Sequence, residues 1–390
     1  MIALKLAFRN LIGAGLRTWL NVFVLSLAFV VIIWHRGIID GWDHQAKRDM
    51  IAWDVAGGQY WHEAYDPYDP FTIQDSHSPL PTVWQEMIDQ DKITPILIAQ
   101  ATIYPDGHML NVKLSGIDPY QNILKIPTQE LEVEGEDIPI LLGTRMAKST
   151  QLAKGDLVTI RWRDANGTFD AAEAKIAGIF KTNLPTVDNG QIYVPLERLR
   201  QMMQMPNEAS IGIKAVNLEE PLPQSGWIFR DQQYLLADIN AILEKKRVGG
   251  SILYFILMSL SMLAIFDTQV LSIFRRQKEI GTHIALGMTR GQVIQLFTIE
   301  GAMHSILAAG VAAIYGIPLL TMQAKNGFAM PASADDYGLA ISEKIFPVYS
   351  AQLILVTVSL VFITATIVSF LPARKIAKMN PTDAIKGKLQ

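Results

Sequence analysis

Several residue groups in this 390-residue chain have the types, and in part the spacing, that chemistry uses. Glu130, Glu132, Glu134 and Glu136 recur at every second position. On a strand they would share one face, meeting either a cation or plain solvent. His44, His62, His77 and His108 lack the His-x-x-x-His spacing of a helical zinc pair and read as surface histidines. Gly143-Thr144-Arg145-Met146-Ala147-Lys148-Ser149 approaches a phosphate loop, but Ala147 stands where that motif requires glycine. Its spacing is also one residue short, so no ATP site is expected in the chain. The absence of cysteine excludes disulfides, thiolate zinc sites, iron–sulfur clusters and cysteine nucleophiles. No nucleophile–base pair or metal constellation emerges, so no catalytic, cofactor-binding or metal-binding residue is expected. Asp267 stands apart, because it lies inside the otherwise uncharged run Ser251–Phe274. An ionisable residue within a membrane span is a functional candidate by default. The alternative is that Asp267 snorkels towards, or pairs with, Arg275 about two turns away.

That run is one of four. Trp19–Trp34, Ser251–Phe274, Ala302–Met322 and Phe346–Leu371 concentrate the apolar residues of a chain that is 50% hydrophobic and 18% charged. About 20 residues of helix cover the ~30 Å hydrocarbon core of a bilayer. The first run continues into His35-Arg36-Gly37 with no small-x-small cleavage site, so an uncleaved anchor is expected. Basic residues favour cytoplasmic termini: Lys5, Arg9, Arg17, Arg275, Arg276, Lys278, Arg290 and the C-terminal lysines and arginine outnumber those opposite. The intervening segment 41–247 holds 29 acidic and 19 basic residues, a net of −10, against +7 for the remainder. An acidic outer segment argues against a nucleic-acid partner.

The fold class expected is an α-helical membrane protein with four transmembrane helices and a large α+β extracytoplasmic domain between helices 1 and 2. In order, the chain reads as a cytoplasmic amphipathic N-terminal helix (1–18), a first span (19–40) and the outer domain (41–247). A β-rich module occupies about 99–195 of that domain. A second span (248–274), a cytoplasmic loop (275–299), a third span (300–322), a short outer loop (323–345), a fourth span (346–371) and a cytoplasmic tail (372–390) follow. Within the outer domain, Ala101–Tyr104 before Pro105-Asp106-Gly107, and Leu157–Trp162 before Asn166-Gly167, carry hairpin signals. Ala174–Phe180 reads as a further strand, and Pro81–Gln90 and Gln232–Arg247 read as helices. The aromatic-rich stretch Tyr60–Phe71 is either a docking loop or a packed one. In the third span Ala308, Ala312 and Gly316 recur at i, i+4 and i+8, a spacing that lets helices approach closely, against span two or four.

The residues flanking spans two to four are the most specific. Glu279–Leu286 reads as a short amphipathic helix ended by Gly287, with Thr289 capping the next helix. Spacing alone does not separate a partner-contacting helix from an ordinary basic loop. The string from Arg276 to Val293, R-x-x-E-I-G-x-x-x-A-L-G-x-x-x-x-x-V, and the closing P-A-R-K-x-A-x-x-x-P-x-x-A-I of Pro372–Ile385 resemble the MacB/LolC/LolE/FtsX-type permeases of ABC transporters. Leu142-Gly143, Ala147-Lys148 and Gly155–Ile160 are similar to part of that family's β-rich outer module, and Ala7–Leu11 before Arg17-Thr18 also fits.

The resemblance implies a MacB-like periplasmic domain on an FtsX-like membrane domain, in the bacterial cytoplasmic (inner) membrane. It implies a dimer, formed with a second copy or a related permease and bound to a cytoplasmic ABC ATPase dimer. ATP and Mg would belong to that partner, with no cofactor in this chain. Membrane lipid and a periplasmic carrier or adaptor protein are further implied partners. The matching ATPase-coupling residues are Glu279, Ile280, Gly281, Ala285, Leu286 and Gly287, with Thr282-His283 departing from the more aliphatic pattern. The leading functional expectation is a non-enzymatic permease that mobilises a lipoprotein or other lipidated or amphipathic envelope substrate. MacB-like efflux of drugs or peptides through an outer-membrane channel, and a mechanical signal to a cell-wall hydrolase, are the alternatives.

Overall fold

A computed structural model describes residues 15–133, 135–218, 225–329 and 344–376. The N-terminal helix expected over 1–18, most of the loop 323–345, and the end of the closing Pro372–Ile385 motif lie largely outside those residues. The chain divides into two units, one of the long apolar helices and one built from residues 43–242 with 329–344.

The apolar unit is built on four helices, Leu16–Met50, Ala237–Arg275, Arg290–Asn326 and Ala351–Ile376. Each is long and apolar enough to cross a membrane. The first and second run well past the spans expected at 19–40 and 248–274, because charged residues continue the helical pattern without a breaker. The fourth helix starts at Ala351 and not at Phe346. Pro347 accounts for this, since it lacks an N–H and disfavours helix at the residue before it. Pro372 lies inside that helix near its end.

The helices meet in one apolar seam of Val22, Leu25 and Phe29, Ile265, Ala308 and Ala312, and Val361 and Ala365. Two glycines of the first helix do something different. Gly41 lies so close to the segment before the fourth helix that a β-carbon there would stand 2.3 Å from the Phe346 carbonyl oxygen. One turn earlier, a β-carbon on Gly37 would meet the Tyr349 ring at 2.2 Å, and the Gly37 carbonyl accepts a hydrogen bond from the Val348 N–H at 3.0 Å.

The outer unit is a nine-stranded mixed sheet. Its strands are β1 (Gln59–His62), β2 (Ser78–Pro79), β3 (Ile93–Ile103), β4 (Leu110–Ile117), β5 (Ile138–Gly143), β6 (Leu157–Arg163), β7 (Phe169–Phe180), β8 (Gln191–Pro195), β9 (Glu208–Ala209), β10 (Ile211–Lys214) and β11 (Trp227–Arg230), with β2 and β9 forming a separate pair. The order is β11-β1-β10-β3-β4-β8-β5-β7-β6, and β6 pairs back onto β3. Strands β3, β4, β8, β5, β7 and β6 therefore close a ring. Strand β3 is long enough to serve twice: Ile93–Ile96 pair with β10, and Ala101–Ile103 pair with β6.

Both expected hairpins form, β3–β4 and β6–β7, each antiparallel. Alternation along β6 buries Val158, Ile160 and Trp162, and these join Leu97, Leu114, Ile140, Ile176 and Ile192 in one core cluster. The ring begins at Ile93, earlier than the module expected from about 99. The helix expected at Pro81–Gln90 runs Thr82–Asp89, and the one expected at Gln232–Arg247 is broken at Leu236 before the long helix begins at Ala237.

The glutamate comb is not on a strand. Thr128–Leu131 forms a 3-10 turn anchored by buried Leu131, and the chain then leaves regular structure, which scatters the acids. Glu130 pairs with Lys154 at 2.7 Å, Glu132 accepts from the Tyr120 hydroxyl, and Glu134 lies outside the described residues. The Tyr60–Phe71 stretch divides between the two readings: Tyr60 and Trp61 are buried, whereas Tyr68 and Phe71 are exposed.

The glycine contacts generate a prediction. Gly41→Ala must displace backbone, so it should cost the full chain about 1–3 kcal/mol. Gly37→Ala, which meets only a ring that can swing, should cost less. Unfolding midpoints of the two purified variants in micelles will show whether that order holds.

Candidate functional site

The residues connecting the second and third long helices are positioned by three local devices. Arg276, at φ −101° and ψ 15°, leaves helical geometry and turns the chain out of the second helix. A short helix, Gln277–Ala285, follows. Gly287, at φ +101°, then takes a left-handed conformation that a side chain would strain, and its N–H donates to the Ile284 carbonyl at 3.0 Å. Thr289 and Gln292 form a reciprocal capping box that starts the third helix.

The short helix is two-faced. Ile280 and half-buried Ile284 pack with Ile273, Val293, Phe297 and Ala373, from the ends of all three neighbouring long helices. Gly281 is buried on the same side. Glu279, Thr282, Ala285, Leu286 and Gly287 are exposed, Leu286 at 80%. The six candidate residues therefore separate into an inward pair, Ile280 and Gly281, and an outward set that includes a large apolar side chain, Leu286, left uncovered among the described residues.

Arg276 holds this arrangement. Its Nε donates to Glu279 Oε2 at 2.9 Å, its Nη1 donates to Glu300 Oε2 at 3.0 Å, and its guanidinium lies 5.3 Å from the Phe297 ring centroid. Burial works against the charge, but the hydrogen bonds and charges of the two carboxylates outweigh it and raise the Arg276 pKa above its ordinary value. Glu300 is 5% exposed, so a short polar tie links the second helix exit, the short helix and the third helix at the edge of the apolar unit. Sequence reasoning missed Glu300. Its position 24 residues from Arg276 carries no local signal.

Asp267 is exposed on the second helix, beside exposed Leu263 and Phe266. Among the described residues it makes neither a hydrogen bond nor an ion pair, and the pairing with Arg275 does not form. The polar residues that do meet inside the apolar unit are others. Asn21 of the first helix donates to the Ala264 carbonyl at 3.2 Å and to the Thr268 hydroxyl. A β-carbon on Gly301 would meet the Ser369 hydroxyl at 1.9 Å and Gln269 Nε2 at 3.3 Å. Ala308, Ala312 and Gly316 are all buried, but Gly316 faces the first helix, where a β-carbon would stand 2.8 Å from Val30. The expected contact with span two or four is thus joined by one with span one, whose Val30 reaches into the groove.

The remaining candidates disperse. Lys148 lies exposed on the seven-residue helix Thr144–Thr150, and Arg145 there pairs with buried Asp188 at 2.7 Å. His44 and His108 are exposed, and His77 bonds Glu208. No group of three or more metal-ligating side chains occurs among the described residues.

Residues 251–381 match the family described as FtsX-like permease C-terminal. The lipoprotein-releasing system transmembrane protein LolC of Xylella fastidiosa (strain 9a5c) is 22% identical over 324 residues, covering 75% of this chain and 76% of that relative. The macrolide export ATP-binding/permease protein MacB of Chromobacterium violaceum is 26% identical over 125 residues, 32% of this chain but only 17% of that relative. Among solved structures, the extracellular domain of the noncanonic ABC-type transporter YknZ from Gram-positive bacteria aligns with 41% of this chain and 84% of its own. That likeness has a TM-score of 0.26 at 13% identity, too low to establish a shared fold.

Glu300→Ala removes the buried partner of Arg276 and leaves it the exposed Glu279. It should therefore destabilise the full chain by about 1–3 kcal/mol, and combining it with Arg276→Ala should cost clearly less than the sum. Unfolding free energies of the two single variants and the double variant in micelles measure that coupling.

Proposed function

We propose, from the premise that this chain is an ABC transporter permease of the FtsX, LolC and MacB type, that it couples ATP hydrolysis in a separate cytoplasmic ATPase to movement of its outer unit. The work done is mobilisation of a lipoprotein or similar amphipathic substrate at the inner membrane. The observation that carries the coupling is the outward edge of the helix Gln277–Ala285, ending in exposed Leu286 on a base tied by Arg276. Such an edge suits insertion into a cleft of a partner, and the Arg276 tie would pass a push on it directly to the second and third long helices. The substrate reading is supported by the reach of the LolC similarity, which extends over three quarters of both chains. The MacB similarity supports efflux as the second reading, over a third of this chain.

In this reading both termini and the short helix are cytoplasmic, the residue 43–242 unit is periplasmic, and a second permease completes the assembly. Because the chain contains no cysteine, single cysteines report its orientation without background. A cysteine at Leu286 should resist a membrane-impermeant maleimide in intact spheroplasts, and one at Asp106 should react; the reverse pattern rejects the orientation.

Coupling is tested at the exposed edge. Leu286→Asp and Gly287→Val should lower the ATPase activity of the reconstituted complex about tenfold or more, a loss of about 1.4 kcal/mol or more of transition-state stabilisation. Leu286→Asp should leave the unfolding midpoint unchanged, since that side chain is 80% exposed among the described residues. Full ATP turnover in a complex carrying Leu286→Asp would refute the assignment.

A further inference from the structure

The outer unit contains a cavity of about 360 Å³ that the permease reading does not use. It opens where the edge of the large sheet meets the turn into the helix Gln232–Leu235, and Lys214, Val216, Leu218, Phe229, Asp231 and Gln232 are among its lining residues. A volume of that order is ligand-sized.

Lys214 is the unusual residue. It ends β10, where alternation places Ile211 and Ile213 on one face, in the core cluster with Trp61. Gly212, on the other face, lies against Trp84, and Lys214 shares that side. Lys214 is 6% exposed as a residue, but its ammonium is not fully enclosed, and among the described residues it makes no hydrogen bond or ion pair. Buried lysines are rare unless paired. Burial pulls its pKa below the ordinary lysine value.

The opposite charge in the cavity is Asp231, which is exposed and forms no salt bridge with Lys214. One of its oxygens accepts from the Tyr234 N–H at 2.8 Å. Gln232 is committed elsewhere, donating through its side chain to the Ala56 carbonyl. Phe229, Leu218 and Val216 supply apolar wall.

Lys214 offers a positive group and Asp231 a negative one in the lining of the same cavity, so a molecule carrying both charges can meet each with its opposite. We propose that this cavity binds a free amino acid or short peptide bearing an apolar side chain. The ligand carboxylate sits on the Lys214 ammonium, its α-ammonium on Asp231, and its side chain against Phe229 and Leu218. The site would give the outer unit a small-molecule input independent of whatever the permease moves.

The test uses the full chain in nanodiscs, with L-leucine and glycyl-L-leucine as probes and saturation-transfer NMR with calorimetry as readout. Wild type should bind at least one probe. N-acetyl-L-leucine, which lacks the ammonium, and L-leucinamide, which lacks the carboxylate, should each bind about tenfold more weakly or worse. Lys214→Met and Asp231→Asn should weaken the zwitterion by a similar factor. Lys214→Arg should stay within a few-fold, and asparagine preserves the capping of Tyr234, so lost folding does not imitate lost binding. An independent readout is amine labelling at mildly alkaline pH, where Lys214 should be modified early and be protected by leucine. No binding of either probe, equal binding by the variants, or binding of glycerophosphoethanolamine in place of both probes would overturn the proposal.

Discussion

A backbone amide in hydrocarbon has no water to bond, so every segment crossing the bilayer must satisfy its own N–H and C=O groups, and helix is the local solution. The same constraint extends to side chains. Ser261, Thr357, Thr364, Thr366 and Ser369 each return their hydroxyl to the carbonyl four residues earlier. Hydroxyls are thereby tolerated along an apolar surface without any partner helix. Polar groups that cannot fold back this way are placed where another helix meets them, as Asn21 meets Thr268. Asp267 alone among the carboxylates of the long apolar stretches has neither arrangement within the described chain, and in a bilayer only a second protein surface or a defect in the lipid can supply one.

Where the helices leave the hydrocarbon, organisation passes from apolar packing to one cation. Arg276 is placed by its neighbours: Ile273 on one side and Ile280 on the other are buried in the same small cluster, so the intervening turn has little freedom. Its two carboxylate partners come from different elements, one exposed and one buried. The exposed pair is worth little by itself, while the buried one is costly to break. This asymmetry lets the Glu279 contact exchange with solvent at less cost than the Glu300 contact.

The four apolar runs, the two hairpins, the cap at Thr289 and the turn at Gly287 were legible because each depends on residues close in sequence. What escaped were contacts between distant segments. Glu300 carries no local mark of its tie to Arg276, and the closing of the sheet through β3 and β6 depends on one strand being long enough to pair twice. The glutamate comb misled for the complementary reason: period two is a strand signal only if the backbone is extended, and the burial of Leu131 draws that segment into a turn. Lys214 likewise looks ordinary in sequence, and only its own burial in the fold, without a partner among the described residues, makes it unusual.

The glycine pair of the first helix limits how that helix can move. At Gly41 the gap to the segment before the fourth helix admits no β-carbon, at Gly37 a β-carbon would have to displace the Tyr349 ring, and a main-chain hydrogen bond crosses between them. Turning the helix by one residue, about 100°, or sliding it past that segment, would bring a side chain into the gap. Torsion about the helix axis is therefore blocked, and the first helix and the lead-in to the fourth travel as one piece. What remains to them is a shared tilt, the motion of a lever and not of a screw.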